Sequence, residues 1–122
     1  MDNSTLLEGK SLIKNGLTKL VDKDFTSAHT DFMKAKEFFE HDKNREYISV
    51  CMSLIALNLY AQDRLNYAKS ISILKDSDFI AQYCQNNTAK LFSNIAQGDI
   101  NFGEKSLDVA LLNYESAKKY CA

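Results

Sequence analysis

No proline occurs anywhere in this chain of 122 residues, and it contains only four glycines. β-rich and loop-rich folds use both residues heavily to make turns, so their scarcity predicts a helical protein. With 45% hydrophobic residues, a chain of this length can bury one core but not two. We therefore expect a single all-α domain over residues 1–122.

Apolar residues recur at steps of three or four in six successive segments, the spacing that places side chains on one face of a helix. The third segment, residues 48–61, is apolar nearly all round and is expected to be the enclosed centre of the fold. Six helices in three antiparallel hairpins follow from this pattern. The clearest single stripe is Phe25, Ala28, Phe32, Ala35 and Phe39.

Polar residues mark the expected helix ends. Thr5 and Glu8 have the spacing of a capping box, which predicts that the first helix begins there. The polar run at 75–78 is expected to close the fourth helix, so that a long fifth helix carries an apolar stripe from Ile80 to Phe102. The last helix is expected to bury Leu107, Ala110, Leu111, Tyr114, Ala117 and Cys121.

The three hairpins repeat one another, over about residues 5–42, 46–78 and 79–122, when they are aligned on three alanines. A glycine inside a helix costs about 1 kcal/mol relative to alanine, so glycines at equivalent places predict a close approach of the second helix at its alanine. The aligned alanines are Ala28, Ala68 and Ala110, with Gly16, Ala56 and Gly98 twelve residues earlier and Phe32, Ser72 and Tyr114 four residues later.

This pattern resembles the tetratricopeptide repeat family in a long-helix form, best over residues 16–35 and 98–117. The resemblance implies that the hairpins stack as a short right-handed superhelix. It departs from the family at Ser72 and Lys75, where a large apolar and a small residue are preferred. Residues 56–114 also resemble, more loosely, the carboxy-terminal half of the soluble NSF attachment proteins, although the acidic carboxy-terminal end of that family is missing.

The residues with reactive side chains are scattered. His29 and His41 have no second ligand one helical turn away, and a metal site needs three or four ligands that converge. Cys51, Cys84 and Cys121 fall on apolar stripes and are expected to be free, buried thiols. The four glycines never cluster into a phosphate-binding loop. We therefore expect no enzyme activity, no metal and no cofactor.

Charge and hydropathy restrict the partners and the location. Fifteen basic and sixteen acidic residues give a net charge of -1, with no basic face for nucleic acid. The amino terminus, MDNSTLLEGK, does not have the form of a signal peptide, and no segment reaches about 18 unbroken apolar residues. We expect a cytoplasmic protein that does not insert into a membrane.

Tetratricopeptide proteins bind peptides along the concave surface of their first helices, and the resemblance implies the same use here. Because most residues mapped there are apolar, an amphipathic helix is the expected ligand. Three alternatives remain open: a structural subunit that self-associates, for example as a homodimer; an adaptor like the attachment proteins, for a helical bundle and an AAA ATPase; and closure of these residues into ordinary core. The mapped residues are Lys10, Ile13, Leu17, Ser53, Leu57, Ala61, Phe92, Ile95 and Asp99.

Overall fold

A computed structural model describes residues 3–121 of the chain. Six α-helices and one short 3-10 turn make up most of this part, which contains no strand. The predicted all-α fold with six helices is confirmed. The helices are α1 (Asn3–Val21), α2 (Phe25–His41), α3 (Arg45–Gln62), α4 (Tyr67–Gln82), α5 (Thr88–Gly103) and α6 (Leu107–Lys119).

Successive helices pair as three hairpins, α1 with α2, α3 with α4 and α5 with α6. The hairpins are joined because α3 also packs against α2 and α5, and α4 packs against α5. Helix α3 is buried along most of its length, including Val50, Leu54 and Ala56, which confirms it as the centre of the fold. The right-handed course of the stack stays a prediction.

Three of the connections between helices use the same turn. Lys23, Lys43 and Lys105 adopt left-handed backbone conformations, with φ of 63°, 56° and 64°. The residue after each lysine donates its N–H to the carbonyl five positions earlier, as in a Schellman motif. The first and last of these turns join the helices of hairpins one and three, and their lysines are 82 residues apart.

The middle hairpin corrects the repeat alignment. Ala68 is exposed and Ser70 is buried, so the second helix of this hairpin is two residues later than the aligned alanines suggest. The 3-10 turn Arg64–Asn66 accommodates the two additional residues. The side chains buried with the same spacing are Ala28, Phe32, Ala35 and Phe39 in α2, and Ser70, Leu74, Ser77 and Ala81 in α4.

Three predicted helix ends were also wrong. Helix α4 does not stop at the polar run 75–78 but continues to Gln82, because Ser77 within that run faces α3 and is buried. Helix α5 therefore begins only at Thr88. Thr5 lies inside α1, which already includes Asn3, so the capping-box assignment was wrong as well.

The buried faces of the last two helices differ from the predicted stripes. Helix α5 packs against three neighbours and buries mainly small residues, whereas Phe102 is exposed. Helix α6 packs closely only on α5, so Leu107 and Leu111 remain exposed with Cys121. The buried residues are Ala89, Ser93, Ala96, Gly98 and Ile100 in α5, and Ala110 and Ala117 in α6.

The predicted close approach at the helical glycines is present, but its partner is an aromatic ring. A Cβ added to Gly16 would lie 2.5 Å from the Phe32 ring, and one added to Gly98 would lie 2.6 Å from the Tyr114 ring. The nearest side chains are therefore the residues four positions after the aligned alanines. Each glycine makes room for a ring on the second helix of its own hairpin.

Replacing Gly98 with leucine should lower the free energy of unfolding by about 1–3 kcal/mol. The new side chain overlaps the Tyr114 ring, although leucine is the better helix former. Urea unfolding measures the change, and the exposed variant Glu115→Leu should stay within about 0.5 kcal/mol of wild type. In the double variant Gly98→Leu/Tyr114→Ala, the effects should fall short of additivity by about 0.5–3 kcal/mol. Strict additivity would contradict the contact.

Replacing Ser70 with alanine should raise the free energy of unfolding by about 1 kcal/mol. The Ser70 hydroxyl is buried without a hydrogen-bond partner, at the position that Ala28 and Ala110 occupy in the other hairpins. The matched control is Ser72→Ala, two residues away on the exposed side. Equal effects of the two substitutions in urea unfolding would mean that the corrected register of α4 is wrong.

Candidate protein-interaction surface

Two of the nine residues predicted to contact a partner are inside the protein. Ile13 belongs to the core of the first hairpin. Ser53 is fully buried, with its Oγ 2.7 Å from the Oγ of Ser77 on α4. Neither side chain is accessible to a partner in this structure, so both are removed from the candidate surface.

Ser53 belongs to a hydrogen-bonded set that joins the two helices of the middle hairpin. Ser49 Oγ donates to the carbonyl of Ser77 at 2.8 Å, and Ser77 Oγ donates to the carbonyl of Ser49 at 2.8 Å. Because all three serines are fully buried, these bonds are made away from water, where an unpaired hydroxyl would be costly. The role of Ser53 is therefore to hold α3 against α4.

Three further predicted residues are only half exposed. Leu17 and Phe92 pack against the larger core cluster, and Leu57 packs against the smaller one. A charge at Leu57 or Phe92 would therefore disturb folding as well as any contact with a partner. Ile95 is also half exposed but belongs to neither core cluster, which makes it the sharper position for a test of binding.

Lys10 and Ala61 are exposed. The ammonium of Lys10 lies 5.3 Å from the centroid of the Tyr47 ring, a cation–π contact between α1 and α3. Tyr47 in turn stacks on Phe39, with 5.0 Å between the ring centroids. The lysine thus covers an aromatic pair at the edge of the surface.

Asp99 is turned towards the last helix of the protein. Its Oδ1 accepts a hydrogen bond of 2.5 Å from the hydroxyl of Tyr114. Burial, followed by this bond and the charge of Asp99, raises the pKa of Tyr114 to about 12. The carboxylate therefore belongs to the packing of α5 on α6, at the same place where Gly98 admits the Tyr114 ring.

Six of the nine residues thus remain on what we call the first-helix surface. They lie on α1, α3 and α5, the first helix of each hairpin. Four of their apolar side chains are half exposed, and Ala61 is exposed. The six residues are Lys10, Leu17, Leu57, Ala61, Phe92 and Ile95.

Several exposed apolar residues lie outside the predicted contact residues, on helical stripes whose spacing is that of core residues. Phe79 and Tyr83 are both exposed at the end of α4, with ring centroids 5.2 Å apart. Leu65 in the 3-10 turn is almost fully exposed. Lys75 and Asp76 are exposed and lie one helical turn before Phe79, so they were the available signal that this face of α4 meets water.

The described residues bring together few groups with reactive chemistry. Between residues 3 and 121, no three histidine, cysteine or acidic side chains lie close enough to hold a metal ion. His41 is exposed, and His29 is half buried. None of the helices in this range combines the length and the apolar character needed to cross a membrane.

The three cysteines are free but differ in exposure, which corrects the expectation that all are buried. Cys51 is buried, and burial raises the pKa of its thiol to about 12. Cys84 is half buried, and its pKa is raised by burial first and by Glu46 second. Cys121 is exposed just after α6.

No family model, curated protein or solved structure matches this chain. The resemblances to tetratricopeptide repeats and to the attachment proteins therefore stay predictions. Equivalent contacts do recur within the chain itself. Lys19 pairs with Asp31 at 2.7 Å in the first hairpin, and Asn101 donates to Asn113 at 2.8 Å in the third, each residue 82 positions after its counterpart.

A thiol reagent such as DTNB should distinguish the three cysteines. Cys121 should react first in the folded protein, because only it is exposed, and Cys51 should react only after unfolding, because it is buried with a raised pKa. The fast phase should disappear in Cys121→Ser. If the variant Cys84→Ser/Cys121→Ser, which retains only Cys51, reacted rapidly while folded, the placement of α3 at the centre would be contradicted.

Proposed function

We propose that this protein is a non-enzymatic scaffold that binds an amphipathic helix of another protein on its first-helix surface. The observation that carries the proposal is that the first helix of every hairpin presents a half-exposed apolar side chain, such as Leu17, Leu57 and Ile95. Such side chains can bury further apolar area against a partner while the protein stays folded. A helix with apolar residues three and four positions apart is a ligand of matching chemistry.

The character of the other residues on the first-helix surface supports an apolar ligand. Lys10 is the only charged member and already lies over the Tyr47 ring, while Asp99 is held by Tyr114. A ligand recognised through its carboxylate tail would require several free cationic or amide groups. The available contact area is instead that of Leu57, Phe92 and Ile95, which favours apolar recognition.

The proposal is tested by selecting helical peptides from a displayed library with the wild-type protein, followed by titration of the selected peptides. Ile95→Glu should weaken a selected peptide at least about tenfold, because it places a carboxylate against the apolar face of the ligand. Its thermal unfolding should resemble that of wild type, since Ile95 belongs to neither core cluster. Calorimetry or fluorescence anisotropy measures the affinities.

The matched control is Leu112→Glu, a change of the same kind at an exposed leucine of α6 away from the first-helix surface. This variant should bind the selected peptides like wild type. If both variants lose binding equally, or if neither does, the peptides bind elsewhere and the proposed site is wrong.

A further inference from the structure

The junctions between successive hairpins follow one design inside the molecule. At the second junction, Asp78 on α4 faces the groove of the third hairpin and accepts a 3.1 Å hydrogen bond from Ser93 Oγ. At the first junction, Phe39 on α2 stacks on Tyr47 on α3, with 5.0 Å between the ring centroids. Phe39 and Tyr47 are each 42 residues before Ala81 and Ala89, which are buried in the core at the second junction. The second helix of one hairpin thus meets equivalent residues of the next.

The first helices take part in the same junctions. The ring of Tyr60 on α3 lies over Gly103 on α5, where an added Cβ would be 2.5 Å from the Tyr60 hydroxyl. The Tyr60 hydroxyl also donates to Glu104 Oε2 at 2.6 Å. A large side chain near the end of one first helix therefore covers a small residue at the end of the next.

In the third hairpin, α4 lies against a groove between α5 and α6. The first hairpin has the corresponding groove between α1 and α2, and there it is uncovered. This groove has a volume of about 750 Å³, and Leu12 and Phe38 provide its apolar lining. No helix of the described residues lies across it. Four of its residues, Glu8, Leu12, Lys34 and Phe38, stand 82 positions before Lys90, Asn94, Ser116 and Tyr120, which line the groove beside α4.

The face of α4 that packs against the third hairpin also has a counterpart, on α6, and this counterpart is uncovered. The residues of α6 that correspond to this face of α4 come 40 positions later in the chain. They are Leu107, Leu111 and Lys118, the counterparts of Tyr67, Ile71 and Asp78, and no other described residue covers these three. Leu107 and Leu111 are each 58% exposed. Phe102, 42 positions after Tyr60, is 62% exposed.

The two uncovered faces can be compared by placing the third hairpin of one copy on the first hairpin of another in the same way as the second hairpin packs on the third. Val21, the counterpart of Gly103, is 79% exposed and within reach of Phe102. Because the Tyr60 ring leaves no room for a Cβ at Gly103, Phe102 would pack beside the Val21 side chain and not over the backbone.

Asp78 and Lys90 line one groove but do not pair, because Lys90 donates to the carbonyl of Cys84. Their counterparts Lys118 and Glu8 carry the reversed charges, and both are exposed, so they are free to pair across the contact. Apolar side chains and opposite charges on the two open faces therefore favour a second copy of this chain as the occupant.

We propose that this protein assembles head to tail, with the outer face of the third hairpin docked on the open groove and Val21 end of the first hairpin of a second copy. The contact continues the stack of hairpins and joins two different surfaces. Such a heterologous contact leaves a free face at each end, so assembly forms a series of oligomers and not a closed dimer. The first-helix surface lengthens with each added copy.

The first measurement is the molar mass of the full chain by sedimentation or light scattering as concentration rises. The average mass should increase beyond that of a dimer. A mass that stays at the monomer up to about 1 mM would overturn the proposal. A mass that stops at the dimer would also overturn it, since that outcome indicates a symmetric contact.

Two variants each block one of the faces. Leu111→Arg blocks the third hairpin and Val21→Arg blocks the first, and each should weaken association at least about tenfold. Both residues are exposed in a single copy, so thermal unfolding of the dilute variants should match wild type. Leu112→Arg, at a leucine exposed to the same degree outside the junction, should assemble like wild type.

Mixing the two blocked variants gives the decisive result. The Val21→Arg chain retains its third-hairpin face and the Leu111→Arg chain retains its first-hairpin groove, so the mixture should form a one-to-one dimer that grows no further. A symmetric contact through α6 would leave Val21→Arg self-associating and the mixture without this dimer. Either of these results would contradict head-to-tail docking.

A charge reversal tests the register of the junction. Lys118→Glu should weaken association about two- to fivefold at low salt, and adding Glu8→Lys in the same chain should restore it. Failure of the second change to restore association would refute the predicted pairing. Ile95→Glu should leave assembly unchanged and Leu111→Arg should leave binding of the selected peptides unchanged, so that failure of this proposal and failure of the proposed function are separately visible.

Discussion

The distance between the two helices of each outer hairpin depends on a glycine that faces an aromatic ring. Gly16 admits Phe32 and Gly98 admits Tyr114, so a ring occupies the space that a Cβ would need. The ring restores the buried apolar area that the glycine lacks, which offsets the conformational cost of glycine within a helix. Because the ring fits only opposite its glycine, the contact also fixes the register of the two helices.

The middle hairpin reaches the same arrangement with different chemistry. Ser49 and Ser77 join α3 to α4 by reciprocal hydrogen bonds, and the Ser53 hydroxyl is bonded to that of Ser77. Their small side chains allow close packing, and their hydroxyls satisfy one another away from water. Register here depends on donors and acceptors, whereas it depends on shape in the outer hairpins. The outer hairpins are therefore held by glycine–ring contacts and the middle hairpin by serine hydrogen bonds. This difference disfavours the pairing of helices from different hairpins.

The sequence was sufficient for the parts of the fold that large apolar residues determine. The α2 stripe and the enclosed α3 follow from periodicity, and the glycine positions predicted close approach. The register of α4 could not be read because periodicity does not count residues in a turn, and the turn Arg64–Asn66 moves Ser70 into the place assigned to Ala68. The candidate surface was predicted in part: Lys10 and Ala61 are open, but a serine such as Ser53 carries no signal of burial.

The exposed leucines of α6 show a second limit of the sequence. Leu107 and Leu111 have the spacing of core residues, but burial also requires a neighbouring helix, and periodicity on one helix does not reveal how many neighbours it has. Apolar side chains with the same spacing are buried in α2, because that helix packs on both α1 and α3. An apolar stripe therefore specifies a face that needs a partner, and tertiary structure decides whether that partner lies within the chain.

The two ends of the stack differ in polarity, and this difference limits how strongly they can associate. Helix α1 carries Ser11 and Lys14 at the positions that Cys51 and Leu54 occupy in the buried α3. A fully apolar face at this end would be an aggregation hazard in a single copy. The polar replacements leave Val21 and the floor of the first groove as the main apolar contacts, with Glu8 beside them. Association through such a face depends on a few apolar side chains and one charge pair, which makes it reversible and sensitive to salt.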